Sequence, residues 1–184
     1  MSEEMLVRHC APTLAGLKTG NLVNCAVQPG ENLEEQLHSL NCKLNPRGVR
    51  VVLLSRQQTG ALIYVYRPDR LSRDLTGDAA DLLCQKGYPA PDPERCLHCL
   101  ARRLQQNGCT FPHEIGLFLG YPLQDVLGFI ENQGQGSKLV GTWKVYGDEE
   151  AARRTFARYK KCTAVYSRCL KEGTALEKLA VRGN

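Results

Sequence analysis

The sequence predicts a mixed α+β or α/β domain: a small sheet of about four strands with split βαβ connections, an enlarged helical insertion and a long C-terminal helix. Three observations predict it. Leucines recur at helical spacing over residues 33–44, two β-branched and aromatic runs flank a polar turn ending at Gly60, and a long amphipathic pattern follows Asp148.

In chain order, "HCAPTLAGLKTGNL" (His9 to Leu22) reads as a short helix begun by Pro12 and ended near Gly20, with Asn21 leading into the strand "NLVNCAV". The leucine helix is next. Asn32 with Glu35 three residues on offers its cap, and Asn45-Pro46 with Gly48 ends it. "VRVVLLSR" and "ALIYVYR", joined by "QQTG", then form a hairpin. From Pro68 to Gly108 the pattern turns helical, with breaks at Gly77, at Gly87-Tyr88-Pro89 and from Pro91.

The stretch Phe111 to Asn132 reads as two helices meeting at Gly120-Tyr121-Pro122. Thr110 caps the first, Pro112 and Glu114 sit in its first turn, and Gly116 with Gly120 opens one face to another backbone or a ligand. Residues 133–138 form a flexible loop, and "GTWKVYG" is a last strand. The final helix starts at Asp148, buries Phe156, Tyr159, Thr163, Tyr166 and Leu170, and carries Arg154, Arg158, Lys161 and Arg168 on the opposite face. A three-layer α/β sheet yields the same order of elements.

At 184 residues the chain suits one core, so residues 1–184 are expected to form a single domain. Hydrophobic residues at 42% and charged residues at 23% are ordinary globular proportions. No apolar run approaches the roughly 20 residues of a spanning helix, and the acidic start lacks a signal core. A cytoplasmic location is the expectation, with no membrane partner. Nine cysteines, an odd count without a leader, then point to reduced thiols. A net charge of +5 falls short of a nucleic-acid binder's footprint, so nucleic acid is not the expected partner.

Three places concentrate chemistry. His9, Lys18, Thr19 and Asn21 mix small and chargeable groups that suit an anion or a turn cap. Lys18-Thr19 is no phosphate-binding loop, because Leu17 stands where glycine is required. His113 and Glu114 precede the apolar corner at Tyr121. As adjacent residues they point about 100° apart on a helix, and the stretch is not a zinc-protease motif. Cys96 and Cys99 bracket His98 in a Cys-x-x-Cys, which supplies two or three metal ligands or a redox pair, or else two buried thiols.

"RHCAPTLAGLKTGNL", "ALIYVYRP", "FPHEIGLFLGYPLQDVLGFIENQG" and "WKVYGDEEAARRTFARYKKC" together resemble a bacterial domain-of-unknown-function family common in anaerobic Firmicutes. The resemblance covers nearly the whole chain and implies a bacterial cytosolic protein. It brings no activity, cofactor or catalytic residue with it. It implies that relatives carry cysteines in the loop corresponding to 134–142, where this sequence has none, which argues against a metal role there.

No nucleophile-base pair, metal set or nucleotide motif survives inspection, so the expectation is a small-molecule or anion binding module. Its ligand region would bring His9, Lys18, Thr19 and Asn21 beside His113, Glu114 and Tyr121. The alternatives are a thiol- or metal-dependent enzyme using Cys96 and Cys99, and an interaction protein using the basic face of the last helix. The ligand, any cofactor and the oligomeric state are not fixed by the sequence.

Overall fold

A computed structural model describes residues 2–26, 30–57, 60–106 and 111–182. Its centre is a three-stranded sheet of β1 (Gly20–Ala26), β2 (Arg50–Gln57) and β3 (Gly60–Tyr66) in the order β1-β3-β2. Both outer strands run antiparallel to β3, from Gly20 and Arg50 opposite Tyr66. They are therefore parallel to each other. Helix α2 (Leu33–Leu44) connects them, and β3 inserts between, which is the split βαβ unit expected from the order of elements.

Period-two alternation divides the sheet between two cores. Ala61, Ile63 and Val65 face one cluster with Leu37, Leu40 and Leu44 of α2, Leu6 and Cys10 of α1 (Glu3–Leu14), and Leu176 and Leu179 of α9 (Leu176–Leu179). Tyr64 and Tyr66, their rings stacked at 4.7 Å, face the other. That side is covered by α3 (Pro68–Asp74), α4 (Asp78–Gln85), α5 (Pro93–Gln105), α6 (Ile115–Phe118) and α7 (Leu123–Glu131). Helices thus cover both faces. A bulge at Leu54 turns that residue into the second core. Asn41 of α2 pairs with the outer edge of β2, its amide group exchanging hydrogen bonds of 2.7 and 2.9 Å with Val51.

Three expectations are corrected. Helix α1 begins at Glu3, capped by the Ser2 hydroxyl, and Pro12 lies inside its last turns rather than at its start. Leu6, Val7, Cys10 and Leu14 repeat at helical spacing and decide this, because burying that stripe outweighs one proline near a helix end. The corner helix shrinks to α6, with His113 and Glu114 in the turn before it; the expected cap at Thr110 and the hairpin turn at Gln58 and Thr59 lie outside the described residues. The strand in "GTWKVYG" does not join the sheet. Its Lys144–Val145 (β5) pairs with Leu139–Val140 (β4) in a separate hairpin, packed by Trp143 and Val145 against α8 (Glu149–Lys171). Among the described residues no helix is long and apolar enough to cross a membrane.

Candidate functional site

The turn after α1 builds the site. The backbone N–H groups of Leu17 and Lys18 both donate to the Pro12 carbonyl, at 2.8 and 3.1 Å, which closes the chain tightly and leaves Lys18 only 3% exposed. Thr13 donates its hydroxyl to Asn21 Oδ1 at 2.8 Å. Thr19 donates its hydroxyl to the Asp74 carboxylate, fastening the turn to α3. Gly120 permits the approach of the other segment. Its φ is +72°, and a Cβ there would collide with the Thr19 side chain. The His9–Asn21 and Phe111–Tyr121 segments therefore do meet: Lys18 Nζ lies 5.1 Å from the centroid of the Tyr121 ring.

Beside this contact is a cavity of about 470 Å³, lined by His9, Lys18 and Asn21 on one side and by Phe156, Tyr159, Lys160 and Thr163 of α8 on the other. No carboxylate among the described residues lines it. Burial pulls the Lys18 ammonium down to about 8, with the Cys10 thiol opposing the shift, and burial pushes Cys10 itself up to about 12. At neutral pH Lys18 keeps its proton and Cys10 is a neutral thiol. Asn21 spends its carbonyl oxygen on Thr13, and its amide hydrogens have no protein acceptor among the described residues.

The remaining expected residues separate. Thr19 is buried and committed to Asp74, outside the cavity. Glu114 is buried too, accepting from the Tyr88 hydroxyl at 2.9 Å and Arg103 Nη1 at 3.2 Å. These are fastenings within the core. His113 and Tyr121 line a second cavity, of about 280 Å³, formed with α7 and the β4–β5 hairpin. Tyr121 is common to both places, one face under Lys18 and its ring stacked on Trp143 at 4.9 Å.

Cys96 is buried, while His98 and Cys99 line a surface hollow of about 600 Å³ with Arg95 and Arg102. Among the described residues no group of three His, Cys, Asp or Glu side chains is placed to hold a metal ion. On α8, Arg154, Arg158, Lys161 and Arg168 are exposed, and Phe156, Tyr159 and Tyr166 pack inward as their spacing predicts. Arg154 pairs with Glu150 at 3.1 Å, one turn away.

Two organising residues escaped the sequence reading. Asp125 is 4% exposed and accepts from Trp143 Nε1 at 2.6 Å and from the Tyr146 and Gly147 backbone N–H groups at 2.7 Å each, which holds the hairpin on α7. Arg67 caps the end of α1, donating to the Thr13 and Leu14 carbonyls and, at 2.7 Å, to that of Val181 near the other end of the chain. An acidic residue in a helix's first turn and an arginine after a strand look like ordinary surface positions in a sequence. Only the partner carbonyls and N–H groups, far off in the chain, mark them.

A family model described as "Protein of unknown function (DUF3793)" matches residues 6–180, which bears out the resemblance to a domain-of-unknown-function family. No curated protein and no solved structure matches the chain.

Proposed function

We propose that this chain, which belongs to the family described as "Protein of unknown function (DUF3793)", is a bacterial cytosolic binding module for a small anion, held in the cavity around Lys18. The observation that carries the reading is a buried ammonium group with no carboxylate partner among the described residues, on the wall of a carboxylate-free cavity. Buried charges are ordinarily paired, because an isolated one loses its hydration without return. An anionic ligand supplies the missing partner. Lys160 and His9 add positive or hydrogen-bonding groups on the same walls, the Asn21 amide donates as well, and Tyr159 and Phe156 offer apolar surface to the rest of the molecule.

The test is a thermal-shift screen at low ionic strength with phosphate, sulfate, and carboxylated and phosphorylated metabolites. The reading expects some of these anions to raise the melting temperature of the wild-type chain and to have no effect on Lys18→Met. No shift with any anion sinks it. So does a shift that persists in Lys18→Met and disappears in Arg70→Gln, which would move the site to the arginine-lined groove containing Arg67, Arg70 and Arg73.

A further inference from the structure

We infer a second binding site, for a small planar aromatic molecule, in the cavity between α7 and the β4–β5 hairpin. It is separate from the Lys18 cavity, and Tyr121 and the Gly141–Trp143 segment lie between the two. The walls are ring faces and edges. His113 and Phe129 meet at 4.9 Å and 57°, and Tyr121 and Trp143 stack at 4.9 Å and 29°, so two aromatic pairs stand around one space of about 280 Å³. Ile115 and Val126 supply aliphatic surface.

The two charged groups at this cavity, Asp125 and Lys144, are already engaged. Asp125 spends its carboxylate on Trp143, Tyr146 and Gly147, and Lys144 donates to the Gly134 carbonyl at 2.7 Å while lying 5.8 Å from the Phe129 ring centroid. An apolar occupant therefore leaves no buried polar atom of these residues newly unpartnered.

The mouth supports the same conclusion independently. Four large hydrophobic side chains are exposed among the described residues, and two of them, Phe111 at 51% and Val140 at 67%, flank this one opening. Single exposed apolar residues are ordinary, but a pair at the lip of an aromatic cavity marks a place where an apolar ligand is received. The volume lies at the low end for ligand cavities, which selects one ring or two fused rings and rules out a peptide helix. The ring-lined walls select aromatic over saturated, since offset and edge-to-face pairs gain beyond the area they bury.

Trp143 is the only tryptophan of the chain and stands in the cavity wall, so its emission reports occupancy. The full-length protein is titrated with benzamide and 1-naphthamide, and with cyclohexanecarboxamide as the saturated counterpart of benzamide. Expected are saturable changes in Trp143 emission with both aromatic amides and binding of the saturated ring weaker by roughly two- to tenfold, the range that one lost aromatic pair accounts for. Phe129→Leu should weaken benzamide by a similar factor. Should that variant fail to fold, His113→Leu serves the same purpose. Lys18→Met should leave the titration unchanged, so failure of the anion reading and failure of this one are told apart. The inference is overturned if neither aromatic amide gives a saturable response, if the saturated amide binds as tightly, or if the folded Phe129 or His113 variant binds benzamide like the wild type.

Discussion

Lys18 is a charge placed where a methionine would be more comfortable. Its alkyl stem fills core space, but its ammonium has exchanged water for one aromatic face, and no carboxylate among the described residues offsets the loss. Lys18→Met should therefore raise the unfolding free energy at pH 7 by about 1–3 kcal/mol in urea titrations, the sign expected of a residue kept for binding rather than stability. The pH dependence follows from the same burial. Folded Lys18 loses its proton near 8 and the unfolded group near 10.5, so in that window the unfolded chain holds more protons and stability rises with pH. Cys10 acts oppositely: it keeps its proton up to about 12 when folded and to 9 when unfolded, so stability falls with pH above 9. Stability should rise from pH 8 to 9, level off between 9 and 10.5 where the two contributions oppose, and fall above 10.5; Lys18→Met should abolish the rise and leave a fall that begins at pH 9. A fall already from pH 8 in the wild type would contradict the assignment. Asp125 is the contrasting case, a buried charge fully supplied with donors. Asp125→Ala strands the Trp143 indole N–H and two backbone N–H groups, and should cost about 3 kcal/mol with a red shift of tryptophan emission.

Elements whose own periodicity fixes their burial were legible, and those fixed by distant partners were not. The leucine stripe of α2, the aromatic and β-branched β3 and the two-sided α8 all follow from local spacing. On α8 this has a direct test. Arg154, Arg158, Lys161 and Arg168 are exposed, and changing all four to glutamine should alter stability by less than about 1 kcal/mol and leave retention on RNA or DNA columns as weak as before. Salt-sensitive retention lost in that variant would instead make the helix a polyanion surface. The β4–β5 hairpin, with two residues in each strand, stands apart from the sheet that its strand-like sequence suggests, because what places it is Asp125 rather than any alternation of its own. The α1 turn and the α6 corner are likewise joined by a contact no local pattern shows. At Gly120, alanine would need a left-handed backbone and the space of Thr19, so Gly120→Ala should cost about 1–3 kcal/mol and weaken anion binding together. Anion binding retained at wild-type strength in that variant would separate the corner from the site.

Across the whole molecule, the split βαβ sheet divides the interior into two cores, and the cysteines are distributed accordingly. Cys10, Cys25 and Cys162 belong to the core on the α2 face, and Cys96 and Cys99 to the core on the other. Cysteine as a small buried hydrophobe accounts for these positions without a redox or metal role. The spacing of Cys96 and Cys99 put both thiols on one helix face, as read from the sequence, but spacing could not tell whether that face looked at water or at Tyr88 and Phe118. Burial pushes Cys96 up to about 11, which leaves almost no thiolate at neutral pH, whereas Cys42 and Cys84 are exposed on the surface. Maleimide labelling of the native protein at pH 7.5, followed by mass mapping, should therefore modify Cys42 and Cys84 before Cys10 and Cys96, which it reaches only as the chain opens, at a rate that climbs with added urea. Rapid, urea-independent labelling of Cys96 would mean that this thiol is ionised and accessible in the folded state, and would restore the thiol enzyme as the reading to beat.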